Sequence, residues 1–179
     1  LLTVAQVGGD ELELGVRAGF GGVGQSPQFG GHVAQHIVAA GGRHVVVGGG
    51  AAGMMAAITA AEQGGSVTLL EPNERLGKKL NITGKGRCNV TNDADLNTLL
   101  ANTPKNGRFL YSVFSRFDGR DAMSFFEEMG VPLKVERGGR VFPVSDRSFD
   151  VSGALERRLK SLRVSLVRDR AVDLEIEDH

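Results

Sequence analysis

Six consecutive residues, Gly48-Gly49-Gly50-Ala51-Ala52-Gly53, satisfy the G-x-G-x-x-G spacing of a dinucleotide-binding turn. In such a turn Gly48 permits a tight exit from a strand and Gly50 lets a pyrophosphate approach the backbone. Gly53 lets the following helix pack closely on the strands. Amides at the helix start, around Ala51 and Ala52, together with the positive end of its dipole, then hold a diphosphate. Glu71 stands eighteen positions beyond Gly53, where a carboxylate can accept both hydroxyls of an adenosine ribose. The same acid disfavours a 2′-phosphate, and with it NADP, in this site. The bland reading is a structural turn followed by a surface glutamate. The surrounding strand, helix and second strand favour the nucleotide.

A second stretch, residues 77–92, packs small residues, cations and amides into an expected loop: Gly-Lys-Lys-Leu-Asn-Ile-Thr-Gly-Lys-Gly-Arg-Cys-Asn-Val-Thr-Asn. That composition suits an anionic ligand, against the plainer reading of a solvated basic loop. It is not a Walker A loop, because Gly84-Lys85 is followed by Gly86 and no glycine stands five positions before Gly84. Cys88 is the chain's one cysteine, so it has no partner for a dithiol relay and reads as a small packing residue. His32 and His36 are spaced as a helical metal pair but lack acidic or cysteine companions, and no metal site is expected. Arg157, Arg158 and Lys160 read as a solvated helix face.

The elements that must position these residues follow from periodicity. Val45-Val46-Val47 reads as a buried parallel strand ending at Gly48, residues 51–62 as a helix stopped by Gly64-Gly65, and residues 66–70 as a second strand. Together they make a βαβ unit. Short helices are expected over residues 95–100 and 108–117. Another, capped by Asp118 or Asp121, places Ala122, Phe125, Phe126 and Met129 on one face and closes at Gly130. Residues 134–142 read as a hairpin turning at Gly138-Gly139, residues 150–162 as a helix, and residues 164–168 and 171–177 as strands. Before Arg43, glycines interrupt every periodic segment. Only residues 11–16 hint at a strand and 32–40 at a short helix, so residues 1–43 are expected to be a poorly ordered or non-native leader.

Composition sets the frame. The 179 residues contain 21 Lys and Arg against 21 Asp and Glu, so no global field favours nucleic acid or an anionic membrane. No apolar run approaches the ~20 residues of a transmembrane helix. One cysteine suits a reducing compartment, and the cytoplasm is the expected location.

Residues 45–71 followed by 77–92 resemble the aminoacetone-oxidase-family FAD-binding enzymes, also called BaiN/YhiN-type NAD(P)/FAD-dependent oxidoreductases. The string Thr-Gly-Lys-Gly-Arg-Cys-Asn-Val-Thr-Asn is the distinctive part, and Phe125-Phe126, Gly130 and residues 139–145 extend the likeness across residues 43–178. The resemblance implies an α/β fold, a Rossmann-like FAD-binding domain with a parallel sheet plus a β-hairpin, in residues 44–179. It places the diphosphate at residues 48–53 and the ribose at Glu71. It further implies that Lys78, Thr83, Gly84, Gly86, Arg87, Cys88 and Asn89 line the flavin and pyrophosphate side, and that backbone at Ala171 and Val172 meets adenine. Such enzymes carry an inserted domain and a later return of the chain to the flavin site. We therefore expect these residues to be the amino-terminal, incomplete part of the domain, with the catalytic residues elsewhere.

The expected function is hydride transfer between FAD and a small organic substrate, with NAD(P)H or oxygen as the redox partner. Two other readings stay open: an NAD-binding dehydrogenase domain using the same fingerprint, and a catalytically inert nucleotide-binding fragment.

Overall fold

Three β-branched residues in succession favour an extended backbone, and Val45, Val46 and Val47 lie in strand β2 (Arg43–Val47). The computed structural model describes residues 3–7, 42–105 and 107–171. The strand hinted at over residues 11–16, the helix over 32–40, and the strand over 171–177 from Val172 onward lie outside the described residues.

The described residues fall into two compact units, one holding residues 42–77 with 156–171 and strand β1 (Thr3–Val7), the other residues 78–155. In the first unit, β2 leads through helix α1 (Ala51–Glu62) to β3 (Ser66–Leu70), the βαβ unit that the periodicity predicts. The sheet order is β1-β2-β3-β7, with β7 at Ser165–Val167. Strands β2, β3 and β7 are parallel, and β1 joins the β2 edge antiparallel. Strand β1 lies in the stretch 1–43, where the sequence hints at a strand only over residues 11–16. Its pairing to β2 is a backbone property that a short, unpatterned segment does not advertise.

Helix α1 forms because six of its twelve residues are alanine, the best helix former. It buries Met54, Ala57, Ile58 and Ala60 and packs on β2 and β3. Gly64, at φ +85°, ends it in the left-handed conformation that favours glycine.

The second unit holds a three-stranded antiparallel sheet of order β4-β6-β5, from Thr91–Asn92, Arg140–Pro143 and Leu133–Glu136. Strands β5 and β6 are the expected hairpin, with Gly138 and Gly139 both at positive φ. A 3-10 segment over Leu80–Gly86 opens the unit in place of the loop expected from sequence. Helices α2 (Leu96–Ala101), α3 (Gly107–Phe114) and α4 (Gly119–Glu128) follow it. Both aspartates proposed as the α4 cap act together: Asp118 accepts from the Arg120 and Asp121 amides, and Asp121 accepts from the Asp118 amide. Helix α5 (Ser148–Ser161) carries the chain from the second unit back into the first. Among the described residues no helix is long and apolar enough to cross a membrane.

One buried polar side chain lacks a hydrogen-bond partner among the described residues. His44 on β2 is 1% exposed, and neither ring nitrogen has a hydrogen-bond partner among the described residues. Burial pushes its pKa below the usual histidine range. The folded state therefore resists a proton that the unfolded chain accepts near pH ~6.5. The resulting stability is complete above that value and is lost as pH falls below it toward the lowered folded pKa. Urea unfolding near pH 5 and near pH 7.5 is expected to show a loss of roughly 1 kcal/mol per pH unit below the histidine range. His44→Leu should flatten this loss, and equal acid losses in both proteins would remove His44 as its source.

Candidate functional site

The parallel register of β2 and β3 sets Val47 opposite Leu70, so the chain leaves both strands side by side. Gly48, at φ +102°, turns out of β2, and its amide donates to the Leu70 carbonyl at 2.8 Å. The next amide, of Gly49, donates to Glu71 Oε2 at 2.7 Å. Glu71 Oε1 accepts the Asn73 amide at 2.9 Å and also the Asn73 side-chain Nδ2. The carboxylate is buried at 9% exposure, and these donors compensate for the water it has lost.

The glycines of the turn divide by role. A Cβ on Gly49 would run into Leu76 Cδ2 and lie 3.0 Å from Glu71 Cγ, so any side chain there forces these buried neighbours to shift. A Cβ on Gly50 would meet nothing within 4 Å among the described residues, so they do not require glycine at that position. Gly50 is the N-cap of α1 with no side-chain cap, and the first turn carries no acid. Ala51 and Ala52 are exposed and Gly53 is buried, as a ligand-facing helix start with an inward third glycine demands. The Gly77 amide closes the arrangement by donating to the Gly49 carbonyl at 2.8 Å. The features that suit a dinucleotide's ADP half are thus grouped in one unit: an unscreened helix N-terminus, an open glycine approach and a buried carboxylate anchored to that turn.

The residues nominated in the basic stretch lie in the second unit. Lys78 is exposed. The Thr83 hydroxyl donates to the Leu80 carbonyl at 2.8 Å. Gly84 and Gly86 have positive φ, and a Cβ on Gly84 would sit 2.9 Å from the Phe142 ring. Arg87 Nη1 reaches Glu136 at 2.8 Å and Asp146 at 3.2 Å, and its guanidinium carbon lies 4.0 Å from the Phe142 ring centroid. Lys134 joins the cluster through Asp146 at 2.7 Å. Cys88 is 3% exposed at φ +63°, and burial raises its thiol pKa, opposed by a hydrogen bond from Thr83. It is therefore protonated and shielded, a poor nucleophile. With its amide nitrogen turned toward the acceptors, Asn89 donates to the Thr91 and Val141 carbonyls at 3.1 and 3.2 Å. Ala171 is half-buried outside regular structure, and Val172 lies outside the described residues.

Three anchoring residues escaped the sequence reading. Asn81 accepts from Ser148 through its carbonyl and from Ser152 through its side chain, each at 2.9 Å. Both serines are buried on one side of α5, four residues apart. That spacing is visible in the sequence, but their partner is 67 residues away and is not. Among the described residues no group of three metal-binding side chains forms.

A glycine turn between parallel strands, with a carboxylate closing the second strand, defines a Rossmann-type nucleotide-binding protein. The chain belongs to the HI0933-like protein Rossmann domain family, whose model matches residues 42–178, and this is the flavoprotein family that its motifs indicate. It is also 38% identical over 101 residues to a 3-dehydro-bile acid delta(4,6)-reductase of Clostridium scindens. The matched stretch covers 56% of this chain and 24% of that reductase.

The two glycines make a direct test. Gly49→Ala is expected to destabilise the chain by about 1–3 kcal/mol through overpacking, while Gly50→Ala should leave the denaturation midpoint near wild type. Equal midpoints for both variants would contradict the division of roles.

Proposed function

We propose that residues 48–53 and Glu71 hold the ADP half of FAD, in a parent flavoprotein that is an oxidoreductase. The observation that carries this reading is the hydrogen bond from the Gly49 amide to Glu71. It fixes a ribose-type carboxylate beside an uncapped helix start, the pairing that an adenosine diphosphate needs. The diphosphate would lie over Gly50 and the amides of Ala51, Ala52 and Gly53, and Glu71 would accept from the ribose hydroxyls. Bound flavin supplies the capacity to take up and release hydride. The protein's residues bind and orient it.

In the second unit we assign the flavin side to the backbone around Gly84 and Gly86 with Lys78, following the motif. Thr83, Arg87, Cys88 and Asn89 shape the segment that presents it, since each is bonded to other residues of the same unit. Ala171 and Val172 are assigned to adenine on the resemblance alone. The substrate we propose is a small organic molecule, with NAD(P)H or oxygen as the second redox partner and the cytoplasm as the compartment. The reductase name carried by the Clostridium scindens relative supports redox chemistry of this class.

The visible absorption spectrum of the purified chain tests the cofactor, followed by chromatography of whatever denaturation releases. A yellow protein that releases FAD in stoichiometric amount is expected. Release of NAD would shift the assignment to a dehydrogenase domain. A colourless chain that stays colourless when incubated with FAD would contradict flavin binding by these residues.

A further inference from the structure

Glu71 can read a ribose only if its carboxylate is held in one orientation, and the residue that holds it is two positions further on. Asn73 gives Glu71 Oε1 two donors, its backbone amide at 2.9 Å and its side-chain Nδ2. The Gly49 amide holds the other oxygen at 2.7 Å. Pro72 stands between Glu71 and Asn73 and fixes φ near −65°, which presets the approach of Asn73 to the carboxylate. One oxygen is thus tied to the phosphate-binding turn and the other to the residue after the proline. Rotation about the last Glu71 torsion would break contacts at both ends.

From this geometry we infer that Asn73 is a positioning residue for nucleotide recognition, acting through Glu71 and coupling ribose reading to the glycine turn. The inference rests on the assignment of Glu71 to the adenosine ribose. Asn73 is exposed while Glu71 is buried. The side chain can therefore be changed without opening the core. Removing its amide takes away one of the two Asn73 donors to Oε1 and leaves the backbone donors to hold the carboxylate less tightly. Replacing the amide with a carboxyl sets two acids against each other, and in contact they favour sharing one proton over carrying two charges. Such a pair is tolerated at low pH, where the added acid donates to Glu71. It is disrupted at high pH, where both are ionised and Glu71 is pushed from its place.

ADP binding to the full chain, measured by calorimetry with Asn73→Ala and Asn73→Asp, tests this. Wild type is expected to bind ADP, and N73A to bind it roughly fivefold more weakly, the order of the net contribution of one ordinary hydrogen bond. N73D should match wild type near pH 5 and fall at least about threefold behind it near pH 8, the ratio at each pH cancelling the ionisation of the nucleotide itself. A merely structural role would lower the N73D affinity equally at both pH values. That result would overturn the proposal, as would binding by both variants within twofold of wild type throughout. Failure of wild type itself to bind ADP is a separate outcome, which overturns the ADP assignment on which the inference rests. Melting curves of the variants confirm that folded protein is compared in each case.

Discussion

The hydrogen bond from the Gly49 amide to the Glu71 carboxylate joins the ends of two parallel strands. A buried carboxylate is costly unless donors surround it, and here the donors come from backbone that the fold has already placed. The register of β2 against β3 brings the two exits together, and the Gly48 amide extends the ladder by one bond to Leu70. Leu76 packs where any side chain on Gly49 would go, and the Gly77 amide returns to the Gly49 carbonyl. The turn is held from several directions by the segment that follows β3. On its outward side no described residue approaches a Cβ placed on Gly50, and the first turn of α1 carries no acid that would compete with an anion.

The second unit achieves rigidity by other means. Its opening segment winds through positive φ at Gly84, Lys85, Gly86 and Cys88, a conformation uncommon for the two non-glycine residues. The segment is pinned by Asn81 to two buried serines and by Asn89 to neighbouring carbonyls. Arg87 adds a planar contact over Phe142 together with Glu136 and Asp146. The guanidinium geometry suits a joint contact with a ring face and carboxylates, which a lysine would not reproduce. Arg87 was attractive from sequence as a cation for a phosphate. The structure gives its charge to partners inside the unit.

Much of the first unit was legible in the sequence because its signals are local. Three valines, a spaced glycine run, an alanine-rich helix and a strand ending in glutamate lie in order within one short stretch, each a rule about near neighbours. The capping box at Asp118 and the glycine turn of the hairpin were readable for the same reason. What stayed hidden depends on pairs far apart in the chain: Arg87 with Glu136 and Asp146, and Asn81 with Ser148 and Ser152. Nothing in a single sequence links positions separated by 49 to 71 residues when each residue type is ordinary in its own setting. Strand β1 was missed because strand addition depends on the edge it joins, and five unpatterned residues carry no mark of that edge.

In the proposed site the diphosphate sits on the outward amides of the glycine turn while Gly49 stays bound to Glu71. Selective 15N labelling of glycine followed by ADP titration tests it most directly. The account predicts large amide shifts at Gly50 and Gly53 that saturate together, with Gly49 retaining the shift and exchange protection of a hydrogen-bonded amide. Saturable ADP binding that leaves Gly50 and Gly53 unmoved, or that releases the Gly49 amide, would contradict it.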